Sequence, residues 1–394
     1  LNVIATSFPH TRLEPASLPT PRPQIKRLMV NCFRNYRAAE IAPDAAAVVL
    51  LGPNGAGKTN LLEALSFLAP GRGLRRARLS DIDHDASSNA EIPPAWAVAA
   101  DVDLGDEVIR VGTGRDPAAQ GERRLIRLDG VPARGQAALG ELLAVSWLTP
   151  AMDRLFAEGG SGRRRFLDRL VFAFDPAHAG RVNRFDHAVR ERARLLKLGD
   201  ADTLWLAALE ETIAATGVAV AAARREMAER LDHACATSTG VFPKARIGVD
   251  GPLDRWLDSL PAVDVESRLR EQLQFARRAG DTGFDGPQRT DLAVTHIAKG
   301  ATADRCSTGE QKALLIAIML AHARLHHAYC GAAPLLLLDE VAAHLDATRR
   351  TALFDEVLNL GGQAWFTGTD APAFAALTGR AAFYHIEDGI ITPH

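Results

Sequence analysis

Cysteine is scarce in this chain of 394 residues, with only Cys32, Cys235, Cys306 and Cys330, none in a C-x-x-C pair. That spacing suggests neither a zinc site nor a dithiol motif, and sparse unpaired thiols fit a reducing cytosol. Net charge is nearly absent too, at −2. A generally basic nucleic-acid coat protein is thereby excluded, and any DNA contact has to come from local clusters of Lys and Arg. Long apolar runs are also missing. The best, Ala313 to Ala321, leads into His322 and Arg324, short of the roughly 20 apolar residues a membrane span needs. Leu1 to Pro23 carries prolines at 9, 15, 19, 21 and 23 and lacks the apolar core of a secretion signal. Residues 1–23 read as a disordered extension, and Leu1 in place of Met points to an alternative or misassigned start. What is present is a globular balance, 47% hydrophobic and 24% charged, which at this length implies two or three domains or lobes.

Order is expected from Gln24. Ile25–Cys32 reads as a strand, Phe33–Tyr36 as its turn, and Ala47–Leu51 as a buried strand before a glycine-rich loop and an apolar helix from Lys58 to Phe67. Alternation predicts half-buried strands at Ala95–Asp103, Val108–Val111 and Leu125–Leu128. From about Asp153 the chain turns rich in Ala, Arg, Leu and Glu, with helical spacing over 161–199, 201–238 and 264–279. Strands and helices then alternate again: Leu292–Ile297, Gly309–Ala328, Leu335–Leu338, Ala347–Leu360 and Ala364–Gly368, with a hairpin at Ala382–Glu387 and Ile390–Ile391. Alternation at both ends implies an α/β sheet assembled from both halves. The expected division is 24–152 and 283–394 for the two parts of one α/β unit, with 153–282 an inserted, mainly helical lobe.

Gly52-Pro53-Asn54-Gly55-Ala56-Gly57-Lys58-Thr59 matches G-x-x-x-x-G-K-[ST] in full, between an apolar strand and a helix. Glycines allow the turns that point successive N–H groups at phosphate oxygens, aided by the positive end of the helix. Lys58 would reach the terminal phosphates, and the Thr59 hydroxyl would ligate Mg²⁺. Leu335–Leu338 is a buried strand ending in Asp339 and Glu340. Asp339 would hold the metal through water and Glu340 would orient or deprotonate the attacking water. Cys306-Ser307-Thr308-Gly309-Glu310-Gln311-Lys312 opens the helix leading to that strand. It is either a plain N-cap or a second phosphate cradle serving a nucleotide held by a partner subunit.

Taken in order, these segments resemble the ATP-binding-cassette ATPases, within them the chromosome-maintenance and double-strand-repair branch, and more closely the RecF family of bacterial recombination mediators. The residues carrying the resemblance are Phe33-Arg34-Asn35-Tyr36, Gly52 to Asn60, Arg164-Arg165-Phe166-Leu167-Asp168, Gly286-Pro287-Gln288-Arg289-Thr290-Asp291-Leu292, Ser307 to Lys312 and Leu338-Asp339-Glu340. Ala343-His344-Leu345-Asp346 resembles the family's loop between two nucleotide sites. Gln288 stands where a His is usual, His344 where a small residue is usual, and Thr367-Gly368-Thr369-Asp370 occupies the switch that carries a histidine in transporter relatives. The resemblance implies an ATP-binding-cassette head built from both chain ends, and nucleotide contacts from Arg34, Asn35, Asn60, Ser307, Gly309 and Asp346. It also implies a slow, Mg²⁺-dependent, DNA-stimulated ATPase in the cytoplasm. ATP would join two copies into a homodimer that binds double-stranded DNA near single-strand gaps. The implied partners are RecR, RecO and RecA.

Two basic clusters are candidate DNA contacts through phosphates: Arg72, Arg75, Arg76 and Arg78, and Arg163, Arg164 and Arg165. Each could equally be a solvated face or a set of internal ion pairs, with Asp168 a helical-spacing partner for Arg164 or Arg165. His322, His326 and His327 share a helix without a completing Cys or carboxylate, which favours packed or solvated histidines over a metal. The rival reading is the ATP subunit of a membrane transporter, which would normally carry a switch histidine near 367–370 and an S-G-G-Q signature. A chromosome-organising ATPase would need sustained heptads, and Asp175-Pro176 and Phe242-Pro243 interrupt them. A structural protein with a dead site is the third rival, opposed by Lys58, Thr59, Asp339 and Glu340.

Overall fold

The computed structural model describes residues 23–84, 95–118, 122–199 and 202–394. The expectation for 1–23 therefore falls, except for its last residue, outside the described residues. The N-terminal part runs β1 (Gln24–Phe33), β2 (Tyr36–Ile41), β3 (Ala47–Leu51), α1 (Lys58–Ser66), β4 (Ala97–Asp103), β5 (Val108–Arg115), β6 (Arg124–Leu128), β7 (Val131–Pro132), α2 (Ala137–Leu142) and β8 (Val145–Leu148). The middle holds α3 (Gly160–Phe172), α4 (Ala177–Leu198), α5 (Thr203–Ala236), β9 (Ala245–Asp250), α6 (Pro252–Leu257) and α7 (Ala262–Arg278). The C-terminal part follows with β10 (Asp291–His296), β11 (Ala301–Thr302), α8 (Thr308–Cys330), β12 (Leu335–Leu338), α9 (Ala347–Asn359), β13 (Ala364–Gly368), β14 (Ala382–Glu387) and β15 (Ile390–Pro393).

The central sheet has the order β15-β14-β3-β13-β12-β8, parallel except for the β14–β15 hairpin. β3 and β12 are buried at every position, as continuous apolar strands covered on both faces should be. The two-residue period sends alternate side chains to opposite sides. Val49, Leu51, Leu336, Leu338 and Phe366 join one core, whereas Val48, Leu50, Leu335, Leu337 and Trp365 join the other. The second core is closed by an antiparallel sheet of order β2-β1-β4-β5-β6-β7. Buried Gln363 ties the sheets together: its Oε1 accepts from Ile25 N at 2.9 Å and Trp365 Nε1 at 3.1 Å, and its Nε2 donates to the carbonyls of Ile25 and Ala45.

The helical spacing expected over 161–199 resolves into two helices, because Pro176 begins a new one after Asp175. The middle segment is not wholly helical: β9 pairs antiparallel with β10, in a sheet of order β11-β10-β9. Its helices keep a core of their own around Phe185, Ile213, Leu253, Leu269 and Phe284. Contrary to the sequence expectation, α5 and α8 are long and apolar enough to cross a membrane by composition. They pack on each other and into the core, and 50% and 67% of their most apolar windows are buried, which accounts for their apolar character. Asp168 pairs with neither Arg164 nor Arg165 but with Arg224, at 2.7 and 2.8 Å, and with His178 at 2.9 Å. A buried carboxylate here meets a guanidinium fork brought from α5 rather than a neighbour on its own helix.

Candidate functional site: a phosphate loop facing two acids

The loop between β3 and α1 turns at Gly52, Gly55 and Gly57, all with positive φ. A Cβ on Gly57 would stand 2.6 Å from both Asn35 Nδ2 and the Tyr36 hydroxyl, and one on Gly52 would run into the Ile386 carbonyl. Those positions therefore need glycine for space as well as for conformation. Asn35 Nδ2 donates to Ala56 O at 3.0 Å and Tyr36 Oη to Gly57 O at 3.0 Å, so the β1–β2 turn braces the loop from outside. Asn60 Nδ2 donates to Asn35 Oδ1 at 2.6 Å. Lys58 is buried and donates from Nζ to the carbonyls of Gly52 and Pro53 at 2.7 and 2.8 Å. Burial lowers its pKa, while the nearby charges of Glu340 and Asp339 oppose that shift.

Across the loop, β12 ends in the two acids. Thr59 Oγ1 donates to Asp339 at 2.9 and 3.0 Å from its two oxygens, placing both expected metal-side groups together. Burial raises the Asp339 pKa, and hydrogen bonds from Thr367 and Thr59 restrain the rise. A hydroxyl and a carboxylate in contact at a helix start are hard oxygen donors of the kind Mg²⁺ takes. Glu340 has φ 50° and ψ 23°, a left-handed conformation unusual for a residue with a side chain. Its N–H donates to Thr367 Oγ1 at 2.9 Å. Thr367 is buried at the end of β13 and had no individual role in the sequence reading; its partners lie 27 and 28 residues away, a distance no local pattern bridges.

Arg34 lies with its guanidinium against buried Glu63 of α1, at 2.8 and 2.9 Å, and donates to Asp81 O at 2.8 Å. Arg75 joins the same carboxylate at 2.7 Å and reaches Asn60 Oδ1 at 2.6 Å. Both guanidiniums thus pair with the one carboxylate of Glu63 on the loop helix. Arg163 grips Asp291 at 2.7 Å with two nitrogens and carbonyls of the 155–158 segment with the third, and Arg164 donates to Thr290 O at 2.9 Å. Arg72, Arg76, Arg78 and Arg165 are exposed. Although Arg76 reaches the surface, desolvation by its surroundings, and then the charges of Arg165 and Arg72, lower its pKa, while Asp186 and Asp168 oppose the shift.

Ser307 caps α8 in a reciprocal box with Glu310, as S/T-x-x-E sequences do. Glu310 Oε2 accepts from Ser307 N at 3.0 Å, and Lys299 pairs with the Glu310 carboxylate. Ser307, Thr308 and Gly309 are exposed. Among the described residues, no hydrogen bond or ion pair joins 307–309 to the loop at 52–60. Asp346 is exposed and caps α9 through Arg349 N at 2.8 Å. Gln288 Nε2 donates to Phe284 O at 3.1 Å. His322 and His326 are packed rather than solvated: His322 bonds Leu170 O at 3.0 Å, and His326 bonds the carbonyls of Ala332 and Ala173.

Comparison with known proteins agrees with this arrangement. Residues 24–369 match the model of the RecF/RecN/SMC N terminal domain. The DNA replication and repair protein RecF of Rhizobium rhizogenes strain K84 is 48% identical over 374 residues, covering 93% of this chain and 98% of that protein. The corresponding protein of Agrobacterium fabrum strain C58 is 47% identical, over 95% and 99%. A solved structure of the recombination mediator protein RecF-ATPrS in the RecFOR pathway superposes with TM-score 0.79 at 20% identity, over 95% of this chain and 99% of that one. The fold is that of an ATP-binding-cassette ATPase head, and relatives this similar over nearly the whole length set aside a transporter subunit. The chain belongs to the RecF family.

Proposed function

We propose that this protein is an ATPase of recombinational DNA repair that closes as a homodimer on ATP, binds double-stranded DNA near single-strand gaps, and is reset by slow hydrolysis. The observation that carries the reading is the division of the phosphate-binding groups. Lys58, Thr59, Asp339 and Glu340 gather on one side, whereas the Ser307 helix start is exposed. A second subunit can supply what the first leaves open.

Residues 52–57 wrap the phosphates with backbone N–H groups, and Lys58 turns its charge from the Gly52 and Pro53 carbonyls to the terminal phosphates. Thr59 and Asp339 hold the Mg²⁺ that accompanies ATP and offsets phosphate charge. Glu340 orients and deprotonates the attacking water, while Ser307 and Gly309 of a second copy cap the γ-phosphate. Contact with the γ-phosphate is what the closed state gains and hydrolysis removes, as any ligand-driven switch requires. Residues 24–152 and 283–394 form the head in this reading, with 153–282 as the second lobe. Exposed Arg72, Arg76, Arg78 and Arg165 are the DNA-facing charges, and RecR, RecO and RecA the partners, in the cytoplasm.

Sedimentation or gel filtration with ATP and Mg²⁺ tests the reading. Wild type should dimerise, Lys58→Met and Ser307→Arg should stay monomeric, and Glu340→Gln should accumulate the dimer. Normal dimerisation of Ser307→Arg would refute the shared site.

A further inference from the structure

The two acids at the end of β12 are joined by one buried hydroxyl. Thr367 Oγ1 lies 2.7 Å from Asp339 Oδ1 and 2.9 Å from the Glu340 amide nitrogen. A hydroxyl has a single proton and accepting lone pairs, whereas an ionised carboxylate only accepts and an amide N–H only donates. The directions are therefore fixed: Thr367 donates to Asp339 and accepts from Glu340. Thr367 is 1% exposed, so bulk water has no ready access to replace either bond. β13 lies in parallel register with β12, Phe366 opposite Leu338, which delivers Thr367 to the bend where the acids leave the strand. At that bend Glu340 takes its left-handed conformation, a state that persists only when surrounding contacts hold it.

We propose that Thr367 is a positioning residue for hydrolysis: its hydroxyl pins the backbone of Glu340 to the Asp339 carboxylate and so aims the Glu340 side chain. The inference rests on the reading of Glu340 as the water-activating group. Asp339 accepts hydrogen bonds from the hydroxyls of both Thr59 and Thr367. Of these two donors, Thr367 is the one that also accepts from the Glu340 amide. Valine matches threonine in shape but can make neither bond, and serine can make both.

The test compares Thr367→Val and Thr367→Ser with wild type in equilibrium ATP binding, ATP-dependent dimerisation, single-turnover hydrolysis and thermal unfolding. Thr367→Val should bind ATP about as tightly as wild type and dimerise with it. It should hydrolyse about tenfold or more slowly, the loss expected for one or two misaligned hydrogen bonds. Its dimer should then persist as that of Glu340→Gln does, and Thr367→Ser should recover most of the rate. If Thr367→Val is unfolded, Thr367→Cys, which lacks the γ-methyl and carries only a weakly hydrogen-bonding thiol, takes its place with the same expected split. Hydrolysis within about twofold of wild type, a loss of ATP binding in step with the rate, or failure of serine to restore it would overturn the proposal. Wild type that hydrolyses ATP without dimerising would refute the shared site yet leave the Thr367 comparison intact. If Glu340→Gln itself hydrolyses normally, the assignment beneath the proposal fails.

Discussion

At the scale of single residues, arginines of the same composition divide into structural and exposed groups. Arg163 spends its donors on Asp291 and three carbonyls, so Arg163→Ala should lower stability by about 1–2 kcal/mol and leave the salt dependence of DNA binding unchanged. Arg76→Glu and Arg165→Glu should do the reverse. Unfolding midpoints should hold while DNA affinity falls across all sequences, and the slope of log K against log salt should shrink by about 0.9 for each phosphate that is no longer neutralised. An unchanged slope in both charge reversals would place the DNA elsewhere. Sequence alone could list the arginines but could not sort them, since Asp291 lies 128 residues from Arg163, and Glu63 lies 29 residues from Arg34 and 12 from Arg75. Lys58, Thr59 and the two acids were legible because their chemistry is written in short contiguous segments with a strand on one side and a turn or helix on the other. Thr367 was not, because what matters is a register between strands.

Among the elements, α8 shows how a helix can be buried while carrying histidines. His322 and His326 face α3 and the segment after it, each spending ring nitrogen on carbonyls. Complete burial pushes the His322 pKa down to about 3, and burial lowers His326 as well. A histidine held neutral in the fold but free to protonate when unfolded stabilises the protein above its ordinary pKa near 6.5. That stabilisation drains as the pH falls toward 3, at up to about 1.4 kcal/mol per pH unit for each such group. Urea midpoints measured from pH 8 to pH 5 should fall on the acid side, and His322→Gln should flatten the fall; an identical acid slope in the variant would contradict this. Long periodic elements such as α5 and α8 could be read from the sequence to within a few residues. β2, β8, β9, α2 and α6 could not. β8 and β9 are short, and their strand character comes from neighbours, β12 and β10, supplied far along the chain.

For the molecule as a whole, the sheet that bears the phosphate loop is shared between distant parts of the chain. β3 lies between β13 and β14, and β8 beside β12. Gln363 repeats that link in side-chain form, giving all four of its hydrogen bonds to β1, β13 and the segment before β3. Gln363→Ala should therefore cost about 2–4 kcal/mol by leaving buried backbone groups unpaired. Calorimetry should register it as one lowered transition rather than a separate early one, and a separate early transition would mean that the two parts unfold independently. The shared sheet was legible from alternation at both ends; its strand order was not.

The interleaving of β3 also governs how the protein is made. Five fully apolar residues emerge from the ribosome well before the strands that flank them, which follow only after several hundred more residues, tens of seconds later at ~5–20 residues per second. Throughout that interval Ala47–Leu51 is a naked edge on both sides, open to mispairing with other nascent chains. Synthesis thus creates a window in which the strand that carries the nucleotide loop has no partner strand from its own chain to pair with.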